Sequence, residues 1–251
     1  MSNNIAEVKS DKDEDKVFLT IHGHFYQPPR ENPWLEAIEQ QDSALPFHDW
    51  NERINAECYN PNSVSKIVTS DNKILNVVNN YEYMSYNFGP TLLSWMEEYA
   101  PLAYERVIKA DMNSRRVHNG HGNAMAQVYN HMIMPLANER DKQTQVKWGI
   151  RDFEYRYGHK PEGIWLAETA VDDDTLRVLV ENDIKFTVLS PYQAQSIRKE
   201  GESSWQDVSW GNIDPARSYR YYIKSAPDKF IDLFFYDGAI SRSVAFDELL
   251  K

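Results

Sequence analysis

Short apolar runs recur along the chain, and they predict the strands of one mostly parallel sheet. Residues 17–22, 81–87, 163–166, 184–190 and 231–236 are rich in aliphatic, β-branched and aromatic residues, and turn or helix signals follow each run. Such runs are typical of strands that are buried on both faces. The alternation of these strands with helical patterns favours an α/β fold.

Helical periodicity follows several of these runs. Pro90 and Thr91 are start signals for one helix, and the acidic triplet at residues 172–174 favours capping of another helix rather than a cation site. Apolar residues spaced by three or four extend the pattern elsewhere. The predicted helices cover residues 92–99, 124–135, 141–157 and 175–181, with a further helix start at 244–251.

The segment at residues 27–62 contains five prolines and several aromatic residues, which predicts a long ordered loop. Long loops inside compact domains are usually functional. We expect part of this loop to wall a binding cleft, although packing of prolines against the sheet rim explains the composition equally well.

Composition restricts the classes of partner and compartment. The 251 residues suit one large domain, and the net charge of −11 argues against nucleic acid or an anionic membrane as partner. Cys58 is the only cysteine, so an intramolecular disulfide is excluded, and a half-buried structural thiol is the simplest interpretation. Residues 1–16 are polar and predict a disordered tail without a signal peptide. The single cysteine and this tail together predict a cytoplasmic protein, and no apolar run reaches the ~20 residues of a membrane span.

Two of the predicted strands end on a carboxylate. Glu168 follows the run at 163–166, and Asp237 follows the run at 231–236. A charged strand end that simply meets water explains either residue alone. Two carboxylates at one edge of a sheet, however, are the minimum equipment for cleaving a glycosidic bond.

The residues around these acids resemble glycoside hydrolase family 57. Residues 165–168 match its Trp-x-x-Glu nucleophile motif, and residues 234–237 match its aromatic strand that ends on an acidic Asp. Residues 22–30 read His-Gly-His-Phe-Tyr-Gln-Pro-Pro-Arg and resemble its first motif, whereas 129–136 read Tyr-Asn-His-Met-Ile-Met-Pro-Leu. Both recur in the large bacterial members of the family.

The resemblance covers about residue 17 to the chain end and implies a fold. That fold is an incomplete (β/α)7 barrel, similar to a TIM barrel, of the glycoside hydrolase and deacetylase type. The family's barrel continues with a further strand and motif, so we expect residues 17–251 to form a barrel domain whose C-terminal part is missing.

The resemblance also implies an activity on an α-glucan, an oligosaccharide or polysaccharide, as a retaining hydrolase or 4-α-glucanotransferase. Glu168 would be the nucleophile and Asp237 the general acid and base, with neither metal nor cofactor required. The second motif of the family carries a Glu, and here Asn123 is interpreted as its counterpart. The residues expected to bind substrate are His22, His24, His121, Asn123, His131, Trp165 and Trp210.

Two alternatives remain open from the sequence, as does the oligomeric state. A metal-dependent polysaccharide deacetylase would hold zinc with histidines and an Asp, and the pairs His22 and His24, and His118 and His121, are the candidate histidines. A catalytically silent carbohydrate-binding relative is favoured by Asn123 in place of the Glu and by the missing C-terminal part.

Overall fold

The computed structural model describes residues 18–246. The predicted tail at residues 1–16 and the end of the last predicted helix lie outside the described residues. The strands are β1 (His22–Phe25), β2 (Glu31–Asn32), β3 (Ala37–Ile38), β4 (Ser65–Val68), β5 (Ile74–Val78), β6 (Ser85–Phe88), β7 (Ala126–Gln127), β8 (Ile164–Trp165), β9 (Phe186–Leu189), β10 (Ser196–Ile197), β11 (Gln206–Asp207), β12 (Ser218–Ile223) and β13 (Ala226–Phe235). The α-helices are α1 (Trp50–Ile54), α2 (Asn60–Ser63), α3 (Pro90–Tyr99), α4 (Pro101–Val117), α5 (Glu139–Tyr157), α6 (Asp173–Glu181) and α7 (Gly238–Ala245).

Six parallel strands of the described chain follow one another in the order β1, β6, β7, β8, β9, β13. Ladders join β1 to β6, β7 to β8 and β9 to β13. Parallel bridges between Tyr86 and Ala124 and between Gly163 and Phe186 join these pairs to one another. The long strand β12 pairs antiparallel with β13. Because the six strands run in one direction, their carboxyl ends share one edge, as predicted.

The strands are buried because helices cover the sheet. Tyr86, Ala126, Ile164 and Ile231 belong to four of the parallel strands and lie in a single hydrophobic cluster with residues of α3 to α6. Burial of both faces explains why these strands are short apolar runs rather than alternating ones.

The two helices that flank β8 in the chain begin and end as their sequences predict. The Asn138 side chain accepts a hydrogen bond from the Asp141 amide at the start of α5, and Gly158 ends this helix in the left-handed conformation with φ 73°. The Asp172 side chain caps α6 by accepting from the Thr175 amide. Capping is therefore the role of Asp172, as expected.

Gly149 brings α5 unusually close to the sheet. A Cβ built on Gly149 would lie 2.0 Å from the backbone oxygen of Gln127 in β7. Only a residue without a side chain permits this approach. The position of β7 is therefore coupled directly to that of α5.

Several predicted boundaries are wrong. The first strand begins at His22 rather than at residue 17, and α7 begins at Gly238 rather than at 244. The predicted helix at 124–135 is instead β7 followed by irregular chain and a 3-10 turn at Met134–Leu136. The loop at 27–62 contains α1, a π-helical turn at Asn55–Tyr59 and α2. The helix α4 and the hairpin of β4 and β5 were not predicted.

Two expectations about composition can be compared with the structure. Cys58 is half-buried and free, which agrees with a structural thiol. Within residues 18–246, no helix combines the length and the apolar character needed to cross a membrane.

Candidate active site

Glu168 lies immediately beyond the carboxyl end of β8, in a strained turn. Its φ is 54° and that of Thr169 is 53°, both in the left-handed region. A left-handed backbone costs about 1–2 kcal/mol for a residue with a Cβ, and it is unusual for a β-branched threonine. The Glu168 side chain is exposed. Strain of this kind clusters at functional sites, where the surrounding structure maintains it.

Three histidines from two segments gather at the same edge. The Nε2 atoms of His24 and His131 are 3.1 Å apart, and their rings stack with centroids 5.1 Å apart. His131 also stacks on Tyr26 at 3.9 Å and has a left-handed backbone with φ 53°. His22 lies on the same face of β1 as His24, two residues earlier in the strand. His24 of the first motif and His131 are thus neighbours in the structure, although they are more than one hundred residues apart in the sequence.

A buried amide connects two of these rings. The Asn87 side chain in β6 is fully buried, and its Oδ1 lies 3.0 Å from His22 Nε2. Asn87 Nδ2 lies 2.9 Å from His24 Nδ1 and donates to Gln127 Oε1 at 2.7 Å. Strands β1, β6 and β7 are therefore linked by side chains at their carboxyl ends.

Burial favours the neutral forms of the three histidines. Burial lowers the pKa of His22 to about 4, with a further lowering by the neighbouring His24. Burial also lowers the pKa of His24 to about 4 and lowers that of His131. The Glu168 carboxylate opposes both shifts, which indicates that it lies close to His24 and His131. Neutral rings can both donate and accept hydrogen bonds.

Trp165 packs against the histidines rather than standing free. Its ring stacks on His22 with centroids 4.8 Å apart and on His24 at 5.0 Å. Its indole Nε1 is buried and has no hydrogen-bond partner. Trp165 therefore holds the two histidine rings next to the turn that carries Glu168.

Asp237 follows β13, two strands away from β8. Its Oδ1 accepts from the Ile240 amide, so the residue caps α7. The three aromatic residues that precede Asp237 differ in exposure and do not enclose it together. Phe235 is buried, but Phe234 is 43% exposed and Tyr236 is 36% exposed. Phe234 contacts Phe186 edge to face instead.

His121 and Asn123 do not join this edge, which corrects two of the predicted substrate contacts. Both precede β7, so they lie at its amino end. His121 Nδ1 lies 2.8 Å from a Glu162 oxygen, and Glu162 precedes β8. Asn123 Nδ2 donates to the backbone oxygens of Tyr81 and Glu82. The loop between α4 and β7 faces away from Glu168 because α4 returns the chain to the amino edge.

Trp210 lies in a loop above the carboxyl end of β9. It is 86% exposed and has a left-handed backbone with φ 63°. The next residue, Gly211, packs against the ring of Tyr192, which directly follows β9 and is 72% exposed. Gly238, beside Asp237, approaches Pro191 in the same region. Two exposed aromatic rings therefore border the edge near Asp237.

Sequence reasoning missed the polar residues that support the histidines. Ser85, Asn87 and Gln127 contact them or one another, as described by their hydrogen bonds. The signal that could have found Asn87 is a polar residue within a buried apolar strand. Gln127, rather than Asn123, is the polar side chain that β7 contributes at the carboxyl edge.

The histidines expected for a zinc-dependent deacetylase are separated. His118 ends α4 at the amino edge, as does His121, whereas His22 and His24 lie in the cluster around Trp165. In the described part of the chain, no three His, Cys, Asp or Glu side chains group in a way that could hold a metal ion. The ligand set proposed for that alternative is therefore not assembled.

Comparison with known proteins identifies the family. The model of glycosyl hydrolase family 57 matches residues 3–248. No curated protein sequence matches the chain significantly.

Solved structures share the fold at low sequence identity. The 4-alpha-glucanotransferase from Thermococcus litoralis has a TM-score of 0.57 and 16% identity, covering 92% of this chain and 29% of that chain. The exo-type maltose-forming amylase from Pyrococcus sp. ST04 has a TM-score of 0.56 and 19% identity, covering 81% and 29%. A family 57 branching enzyme from Thermococcus kodakaraensis, in complex with glucose, has a TM-score of 0.50 and 15% identity, covering 91% and 49%.

This chain thus spans less than half of the length of each of these three proteins. Their fold is a (β/α)7 barrel, and the six parallel strands described above form part of one, which confirms the predicted fold class. The sequence resemblance is confirmed as well, since the family match covers nearly the whole chain. This chain belongs to glycosyl hydrolase family 57.

Proposed function

We propose that the protein acts on α-glucans as a retaining glycoside hydrolase or glucanotransferase. Glu168 attacks the anomeric carbon, and Asp237 protonates the leaving oxygen and later deprotonates the acceptor. The observation that carries the proposal is the turn at Glu168, which presents an exposed carboxylate near His24 and His131. The names of similar structures, a glucanotransferase, an amylase and a branching enzyme, support an α-glucan as substrate.

The surroundings of Glu168 suit a nucleophile. The left-handed turn fixes the direction of the side chain, and a fixed nucleophile needs less ordering when substrate arrives. Burial lowers the pKa of all three histidines, which favours their neutral forms near pH 7. A carboxylate beside neutral rings would stabilise the positive charge that develops on the sugar ring in the transition state.

Asp237 suits the second role because of its distance along the sheet. β9 separates β8 from β13. Neighbouring strands lie about 4.8 Å apart, so the two strand ends are separated by roughly 10 Å at the backbone. A Glu and an Asp side chain that extend toward each other shorten this gap. We expect the carboxyl groups to reach the ~5–5.5 Å typical of retaining enzymes when substrate is bound.

The remaining residues would bind the sugar. His24 would contact a sugar hydroxyl through Nε2, because Asn87 occupies its Nδ1, and His131 would contact one through its ring nitrogens. His22 supports this arrangement through its own contact with Asn87. Trp165 stacks on His22 and His24 and would hold both rings in place beside the sugar. Trp210 would stack on a sugar ring farther along the bound glucan, since exposed aromatic rings suit the apolar faces of sugars.

A second candidate is a carbohydrate-binding relative without catalytic activity. One observation favours it, namely that β7 contributes the amide of Gln127 rather than a carboxylate to the carboxyl edge. This candidate keeps the same binding residues but assigns no chemistry to Glu168.

Incubation of the protein with a panel of α-glucans, followed by chromatography of the products, tests the proposal. The expected result is new oligosaccharides with the wild-type protein and none with Glu168→Gln. Because Glu168 is exposed, this variant should melt at the wild-type temperature. Binding of α-glucans without any product would support the second candidate and reject the first.

A further inference from the structure

The amide of Asn87 lies between two histidines and contacts both. Its Oδ1 lies 3.0 Å from His22 Nε2, whereas His24 Nδ1 lies 2.9 Å from Nδ2 and 3.2 Å from Oδ1. The same Nδ2 donates to Gln127 Oε1 at 2.7 Å. Asn87 has no exposed surface, so these contacts are made away from solvent. A buried amide with this many partners has one preferred orientation.

These contacts determine which nitrogen of each ring carries the proton. Asn87 Oδ1 can only accept, so His22 must donate from Nε2, and its Nδ1 then accepts from the Ser85 hydroxyl at 2.9 Å. Asn87 Nδ2 can only donate, and one of its hydrogens goes to Gln127. The other hydrogen is buried and needs an acceptor, and His24 Nδ1 lies closer to Nδ2, at 2.9 Å, than to Oδ1, at 3.2 Å, so it accepts from Nδ2. His24 therefore carries its proton on Nε2.

We propose that Asn87 is a positioning residue, which holds His22 and His24 as neutral Nε2–H tautomers and thereby aims the His24 Nε2–H at His131 and the Glu168 edge. The role in substrate binding rests on the function proposed above, in which these rings hold sugar hydroxyls. The arrangement of protons itself does not depend on that function.

The proton of His24 has a defined recipient. His131 Nε2 lies 3.1 Å from His24 Nε2, so it accepts, and the proton of His131 is then on Nδ1. Hydrogen bonds thus run from Asn87 through His24 to His131. A sugar hydroxyl that enters at this edge meets a fixed pattern of donors and acceptors instead of rings that exchange tautomers.

The variant Asn87→Asp preserves shape and reverses one contact. The carboxylate can accept from His22 Nε2 but cannot donate to His24 Nδ1, so His24 must place a proton on Nδ1. Gln127 can turn its amide and donate from Nε2, an atom that has no partner in the wild-type protein. The buried carboxylate would then have hydrogen-bond donors from His22 and Gln127, so we expect the variant to fold.

The new charge also favours protonation of both rings. The groups that already act on His24 are His131 and Glu168, and the group that acts on His22 is His24. A carboxylate in contact with both rings adds a second negative charge near His24 and the first near His22. We expect the midpoints of both titrations to rise by at least about one pH unit.

Long-range ¹⁵N NMR of the histidine rings as a function of pH provides the test. The expected wild-type spectrum shows Nε2–H tautomers for His22 and His24 near pH 7. Asn87→Asp should give Nδ1 protonation of His24 and raised midpoints for both rings. Asn76→Asp makes the same charge change at an exposed position of β5 and should leave both rings unaltered. An Nδ1–H tautomer in wild-type His22 or His24 would overturn the proposal.

A second variant does not depend on the folding of Asn87→Asp. In Gln127→Glu the side chain can still accept from Asn87 Nδ2, so the amide orientation and both tautomers should persist. A tautomer change in this variant would mean that the wild-type amide is oriented the other way, and it would reject the proposal. Absence of glucan activity with the expected tautomers would reject only the proposed function.

Discussion

Replacement of Gly149 by alanine tests whether the close contact of α5 with β7 positions the site. The new Cβ would lie 2.0 Å from the backbone oxygen of Gln127, whereas ordinary contacts of a Cβ begin at 3.4 Å. The helix or the strand must therefore move by more than 1 Å, and a backbone oxygen in a sheet cannot rotate away. Overpacking costs about 1–3 kcal/mol, and a 2.0 Å approach to a backbone oxygen places Gly149→Ala in the upper part of that range, so the gain of about 1 kcal/mol in helix propensity offsets only part of the cost.

We expect Gly149→Ala to lower stability by about 1–2 kcal/mol, which corresponds to a fall of roughly 2–8 °C in Tm for a chain of this size. Movement of β7 would carry the Gln127 amide away from Asn87, so catalytic activity should fall as well. Thermal melts and product analysis measure the two effects. Gly238→Ala is the matched control, since its Cβ would meet only Pro191 at 3.9 Å. An unchanged Tm in Gly149→Ala would show that the contact is not tight and would refute this reasoning.

Three further results are expected. Asp237→Asn should abolish turnover but keep the wild-type Tm, because asparagine caps helices as well as aspartate does and can still accept from the Ile240 amide; a large loss of Tm would make Asp237 structural. The free energy of unfolding should fall as the pH drops from about 6.5 to 4, because histidines bind protons there in the unfolded chain whereas native His22 and His24 do not. Each ring contributes at most about 1.4 kcal/mol per pH unit. Urea unfolding of His22→Gln should therefore show a smaller dependence of this free energy on pH. Glu168→Gln should lower the pKa of His24 further and leave that of His22 unchanged in an NMR titration, and equal effects on both rings would contradict the proximity of Glu168 to His24.

Strand ends were predictable from the sequence because they depend on local pattern. The runs before Glu168 and Asp237 are apolar, since parallel strands are buried on both faces, and the polar residue that follows each run marks the edge. Helix α5 was predictable for the same reason, with a cap at Asn138 and a left-handed glycine at Gly158. These features need no knowledge of distant contacts.

The sequence pattern did not predict two elements, β7 and α4, and the reasons are physical. Residues 124–128 are all buried, and in so short a run a buried strand has the same composition as a buried helix, so the pattern predicts a helix where the structure has β7. Helix α4 buries small or polar residues such as Ala103, Ala110 and Ser114, which leave a weak apolar pattern.

The support of the site was beyond sequence reasoning. Asn87 contacts residues 65, 63 and 40 positions away along the chain. No local pattern reports such contacts. The prediction that His121 and Asn123 contact substrate is wrong for a related reason. The loop that carries them reaches the sheet only after α4 has returned the chain to the opposite edge.

The central claim is that Glu168 forms a covalent bond with the sugar, and trapping of that intermediate tests it most directly. A fluorinated α-glucosyl fluoride slows the second step of a retaining enzyme more than the first, so the glycosyl-enzyme accumulates. Intact-mass measurement followed by peptide mapping should show one added glycosyl group, on Glu168, and no adduct in Glu168→Gln. An adduct on another residue, or turnover of α-glucan by a protein that never gains this mass, would contradict the assignment of Glu168 as the nucleophile.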